Sequence, residues 1–119
     1  MDVAFVLTGD PVQLVIREGP YAGAEAEVLT DLPLGVTVGI GRAMTVFGQA
    51  EAGSAEESVA LQTAWTIFAS DVLVGWNLYD RQGVIPPDPS AYARVSPRFI
   101  VQLLTLWADL LTPEATSGE

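Results

Sequence analysis

The 119-residue chain is half hydrophobic and carries fifteen acids against five bases, for a net charge of −10. Cysteine, histidine and lysine are absent, which removes disulfides, thiolate metal sites, the commonest general base and Schiff-base chemistry. The five arginines stand singly at 17, 42, 81, 94 and 98, so no basic patch can hold a nucleic-acid backbone, and the acidic balance disfavours anionic membranes.

No apolar run approaches the roughly 20 residues of a membrane-spanning helix. The opening MDVAFVLTGD places an acid where a signal peptide would carry basic residues, so a cytosolic chain, or one built into an assembly in the cytosol, is expected. Val3 to Leu7 reads as a short strand closed by the turn Thr8-Gly9-Asp10-Pro11. Val12, Leu14 and Ile16 then alternate with Gln13, Val15 and Arg17, the period of a strand with one buried face. A hairpin-type loop at 18–23 leads to a second alternation, Ala24, Ala26 and Val28 against Glu25, Glu27 and Leu29. An isolated hairpin is marginal in water, so this sheet must pack on something.

Residues 32–48, LPLGVTVGIGRAMTVFG, are ambiguous. Leu34, Val36, Val38 and Ile40 alternate like a strand and the glycines oppose a helix, yet Pro33 could open one at its first position. After a polar loop at 49–53, Ser54 and Glu57 form an S-x-x-E capping box. Leu61, Ala64, Trp65, Phe68 and Val72 follow on one face, with Glu56, Thr63 and Ser70 on the other, predicting an amphipathic helix over 55–74. Ser96-Pro97 opens a last helix, in which Arg98, Gln102, Thr105 and Asp109 form a narrow polar stripe. Its apolar arc is wider than one core contact requires, so the helix is either buried centrally or shares a face with a partner. Thr112-Pro113 stops it.

No constellation supplies catalysis or holds a metal. Glu25 and Glu27 share a strand face without a companion nucleophile or cation, and Glu56 and Glu57 suit the first turn of a helix. Asp80-Arg81-Gln82-Gly83 begins like a calcium loop, but Val84, Ile85, Pro86 and Pro87 occupy the positions that should bring oxygen ligands. Neither a phosphate-binding glycine loop nor a nucleophile elbow is present. The chain is expected to be a non-enzyme without cofactors. The tryptophans at 65, 76 and 107 are read as core, with the indole N–H of Trp76 seeking a carbonyl at the corner.

That corner carries a resemblance. Val74, Trp76, Asn77, Leu78, Asp80, Gly83, Val84, Ile85 and Pro86 spell V-x-W-N-L, D-x-x-G and V-I-P between two helices, and Trp107 lies near the end of the second. Upstream, Pro20, Tyr21, Gly23 and Glu25 give P-Y-x-G-x-E, followed by Pro33 and Gly35. The chain resembles small tail assembly chaperones encoded in the tail-gene region of long-tailed bacteriophages of actinobacteria. It departs from them in the stiff Pro86-Pro87-Asp88-Pro89 and in the glycine-rich 36–41 stretch.

The resemblance implies a helix at 34–47 and makes Trp76, Asn77, Leu78, Asp80, Gly83 and Pro86 a structural signature, with Asn77 bonding the backbone of its neighbours in the turn. It implies a non-enzymatic factor of the host cytoplasm that binds the tape-measure protein during tail assembly. The candidate binding surface is the outer face of the last helix at Leu104, Trp107 and Leu111, and further copies of the chain are a second candidate partner. A structural virion subunit and a bacterial cytosolic adaptor are the alternatives. The expected fold class is α+β, with an N-terminal antiparallel hairpin or small sheet packed on about three C-terminal helices. One domain is expected over 1–112, mainly strands over 1–31 and mainly helices over 32–112 with a turn at 76–90, then a disordered tail at 113–119.

Overall fold

Alternation builds the sheet. In the computed structural model, which describes residues 11–111, strands β1 (Val12–Val15) and β2 (Glu25–Val28) pair antiparallel with Leu14 opposite Ala26. Leu14, Ile16, Ala26 and Val28 are buried, whereas Glu25 and Glu27 face outward. The hairpin closes with the Ile16 amide donating to the Ala24 carbonyl at 2.9 Å and the Gly23 amide to the Ile16 carbonyl at 2.8 Å. Gly23 sits at φ +101°, where a side chain would be strained. The expected strand at 3–7, the turn after it and the tail at 113–119 lie outside the described residues.

Helix α1 (Leu34–Gln49) resolves the ambiguous stretch. It forms despite its glycines because Ile40 and Ala43 bury against the rest of the molecule, and tertiary packing overrides a weak propensity. At Gly39 a methyl group would come 3.2 Å from Cδ1 of Ile67, so the small residue lets α1 lie close to its neighbour. That neighbour is α2 (Ala55–Asp71), capped as predicted by the Ser54 hydroxyl, which accepts from the Glu57 amide at 3.1 Å. The return bond of the expected capping box is displaced by one residue: Glu57 Oε1 accepts from the Gly53 amide at 2.9 Å, while the Ser54 amide donates to the Glu51 carbonyl.

The predicted helix over 55–74 is three residues too long. The chain leaves α2 at Asp71, and β3 (Leu73–Trp76) joins the free edge of β2 with Ala26 opposite Trp76, giving the order β1-β2-β3. Unpaired amides and carbonyls along that edge favour a third strand, and Val72, Leu73 and Val74 suit one. The corner holds a second hairpin, β4 (Tyr79–Asp80) with β5 (Gly83–Val84), and a 3-10 helix (Pro89–Ala93). Helix α3 (Pro97–Leu111) follows, with the Ser96 hydroxyl accepting from the Arg98 amide at 3.1 Å.

The fold is therefore α+β, a small antiparallel sheet covered by three helices. Its core joins Ile16 and Val28 from the sheet, Trp65 and Phe68 from α2, and Ile100, Leu103 and Leu104 from α3. Among the described residues no helix is long and apolar enough to cross a membrane.

Candidate protein-binding surface

The signature residues lock the corner together. Trp76 stacks on Trp65, with ring centroids 5.7 Å apart and 15° between planes, and its indole N–H donates to the Ile85 carbonyl at 2.6 Å. The sequence reading anticipated such a carbonyl. Asn77 acts differently from its expected turn role, because it reaches the first hairpin. Its Oδ1 accepts the Glu25 amide at 2.9 Å, its Nδ2 donates to the Gly23 carbonyl at 3.4 Å, and its own amide donates to the Glu25 carbonyl at 3.2 Å. The cause is β3: once that strand pairs with β2, Asn77 lies where the ladder runs out, against the start of β2.

Leu78 packs against the core, and its carbonyl accepts the Ile85 amide at 3.1 Å. Asp80 Oδ1 accepts the Gln82 amide at 2.8 Å within the turn. Both Asp80 oxygens also meet the Arg94 guanidinium, at 2.6 Å from Nη2 and 3.0 Å from Nε. That charged fork holds the Asp80 carboxyl below the usual carboxylate range and raises Arg94. Gly83 takes φ +111°, which closes the hairpin, and Pro86 is exposed beyond it. The corner is a fastening between two hairpins and the 3-10 helix.

The expected outward face of α3 is corrected by packing. Leu104 and Trp107 are each about 2% exposed. Trp107 meets Phe68 edge to face at 5.6 Å and donates its indole N–H to the Leu29 carbonyl at 3.0 Å, so it ties α3 to both α2 and the end of β2. Leu111 is partly buried. The three residues do share one feature, a groove of about 490 Å³ between α1 and α3. Leu104 and Trp107 form its floor with Ile40, while Met44 and Leu111 flank it and Asp109 supplies its one charge.

The more open apolar surface is on α1, where sequence reasoning did not place it. Across its sixteen residues this helix carries one charge, Arg42. Leu34, Val38 and Val46 are exposed on it, and Val59 of α2 is 60% exposed. Val46 and Val59 rim a second groove of about 570 Å³ on the other side of α1, floored by Gly39, Ala43 and Ala60. Two signals in the sequence pointed there: a nearly uncharged helix in an acidic chain, and Val59 set between Glu56 and Thr63 on the polar side of α2.

A third hollow, also about 570 Å³, lies where Tyr21, Phe47, Tyr92 and Arg98 meet. It is partly spoken for, since the Tyr92 hydroxyl donates to the Ser58 carbonyl at 3.4 Å. On the sheet, Glu25 Oε1 accepts from Nε2 of the Gln13 side chain at 2.8 Å. Among the described residues no three acidic side chains gather where they could hold a metal ion. The arrangement can therefore offer apolar grooves to a helix or strand, and the fixed polar groups serve the corner. No protein-family model matches this chain, and comparison with curated proteins and with solved structures returns no match.

Proposed function

We propose that this chain is a non-enzymatic assembly factor of a bacteriophage tail, a chaperone that holds an apolar helix of the tape-measure protein until tail-tube subunits close around it. The observation that carries the reading is α1, an exposed helix with one charge in sixteen residues on a chain of net charge −10. An apolar ridge flanked by grooves suits an amphipathic helix, and the surrounding acid keeps such a complex soluble. The resemblance around Trp76-Asn77-Leu78 and Asp80-x-x-Gly83 supplies the assignment to tail assembly.

The binding site in this reading is the α1–α3 groove. Met44 and Leu111 meet the guest there, and Leu104 and Trp107 shape the floor from within. Cytoplasmic action and absence from the finished particle follow from a chaperone's role. Co-expression with the tape-measure chain of the same genome tests it: the long chain should stay soluble and co-purify with this one. Met44→Glu should abolish co-purification, and mass spectrometry of purified particles should find none of this chain. Its presence there at a fixed copy number would favour a structural virion subunit. Insoluble tape-measure protein in the presence of the wild-type chain would overturn the chaperone reading.

A further inference from the structure

The α1–α2 groove has a shape and a charge pattern that its own copy would complement. Its floor is made of small residues, Gly39, Ala43 and Ala60, and its rim of two projecting ones, Val46 and Val59. Holes and knobs thus occur in one surface, the requirement for packing against a second copy of itself.

Charge narrows the occupant further. The groove's only charged side chains are Arg42 on α1 and Glu56 on α2, so the patch is neutral on a molecule of net charge −10. Two copies repel over most of their surface, and here the repulsion cancels. Among the described residues Arg42 has no ion-pair partner within its own chain; the one ion pair is Arg94 with Asp80. The five residues between α1 and α2 make them an antiparallel pair. Glu56 therefore lies near the loop end of the groove and Arg42 farther along it, separated by roughly two helical turns. A two-fold axis across the groove reverses one copy against the other and brings each Arg42 to the Glu56 end of its partner.

We propose that the chain forms an isologous homodimer through the α1–α2 groove, with Val46 and Val59 seated over Gly39, Ala43 and Ala60 of the other copy and Arg42 paired with Glu56 across the interface. This goes beyond the assembly role and is independent of it, because the proposed tape-measure groove lies on the other side of α1.

Sedimentation equilibrium of the full chain over a wide concentration range, at low and high salt, is the test. A monomer–dimer equilibrium is expected at both salt concentrations, since salt screens the Arg42–Glu56 pairs and the overall repulsion between copies alike. Val59→Glu should raise the dissociation constant by at least about tenfold, since it replaces an apolar knob of the interface with a charge. Arg42→Glu and Glu56→Arg should each weaken the dimer by about tenfold, and the double exchange should restore most of the loss, as coupled partners do. All four variants lie at exposed positions, so an unchanged circular dichroism spectrum serves as the folding control. A monomer at every concentration overturns the proposal. So does a dimer indifferent to Val59→Glu, or a double exchange no tighter than the weaker single variant. Binding of the tape-measure chain is read separately, so loss of one result leaves the other standing.

Discussion

Asn77 Oδ1 accepts the backbone N–H of Glu25 at 2.9 Å, across 52 residues of chain. With its Nδ2 on the Gly23 carbonyl, this one amide side chain fastens the corner after β3 to the turn that begins β2. Together with the bond from the Asn77 backbone N–H to the Glu25 carbonyl, the side chain carries the pairing of β2 with β3 one residue beyond Trp76.

Asn77→Ala should therefore destabilise the protein by about 1 kcal/mol, the net worth of a hydrogen bond near solvent. Asn77→Asp keeps the acceptor for the Glu25 amide but turns an oxygen toward the Gly23 carbonyl and adds a charge beside Glu25. It should do no better. Urea unfolding followed by tryptophan fluorescence checks both, and two variants as stable as the wild type would show the contact to be incidental.

The Asp80–Arg94 pair gives the corner a pH dependence. Hydrogen bonding by the guanidinium lowers the Asp80 pKa on folding, so the unfolded chain takes up this proton more readily than the folded one. The pair's stabilisation is then fully present above the ordinary carboxylate pKa and is lost as pH falls through the lowered value. Arg94 stays cationic throughout. Asp80→Asn should lower the melting temperature modestly at neutral pH and reduce the decline below the ordinary carboxylate range. Both groups are part-exposed, so the effect should shrink in high salt. An identical acid profile in the variant would remove the pair from any account of stability.

Glycines in α1 make opposite predictions from one helix. Nothing lies within 4 Å of a methyl group added at Gly41, so Gly41→Ala should stabilise the protein by about 0.5–1 kcal/mol through helix propensity. At Gly39 the same methyl meets Ile67 at 3.2 Å, and α1 and α2 must separate slightly or Ile67 must shift. Gly39→Ala should gain less than Gly41→Ala or destabilise. Thermal unfolding of the two variants side by side decides it; equal gains would mean that α1 is loosely seated on α2.

How far the sequence was legible depended on the range of the interactions involved. Local signals read correctly: Ser54 as the N-cap of α2, Ser96-Pro97 as a helix start, and the alternation of Ala24, Ala26 and Val28 against Glu25 and Glu27 as a half-buried strand. The Trp76 indole bond to a carbonyl followed from the cost of burying an unpaired N–H. Residues 34–40 alternate like a strand and periodicity leaves them open; the helix that the resemblance implies is the one that forms, seated on the face of α2. Failures came where a distant partner decides. Val72 continues the apolar periodicity of α2 and caps it, and only the open edge of β2 turns Leu73 and Val74 into strand. Leu104 and Trp107 face inward and not outward; α3 is apolar almost all round, a pattern that states how much must be covered and not which side is covered. The free surface lay instead on α1, whose near-absence of charge was visible in the sequence.

Burial of Trp107 separates its structural role from the binding role proposed for the α1–α3 groove. Its ring packs on Phe68 and its N–H serves the Leu29 carbonyl, so Trp107→Ala leaves a cavity and an unpaired carbonyl at the end of β2. It should destabilise the protein by about 3–5 kcal/mol, and Leu104→Ala by about 2–5. Such losses take a large share of a domain's ordinary stability of about 5–15 kcal/mol. Weakened partner binding in either variant is therefore read only beside its measured stability. Leu111→Ser, at the edge of the α1–α3 groove and only partly buried, should cost about 1 kcal/mol or less while removing apolar contact from any guest. Urea midpoints and tape-measure co-purification measured on all three variants tell the roles apart. If Leu111→Ser keeps both its stability and its partner, the guest does not use this groove. Should Trp107→Ala stay as stable as the wild type, the packing described for α3 is wrong.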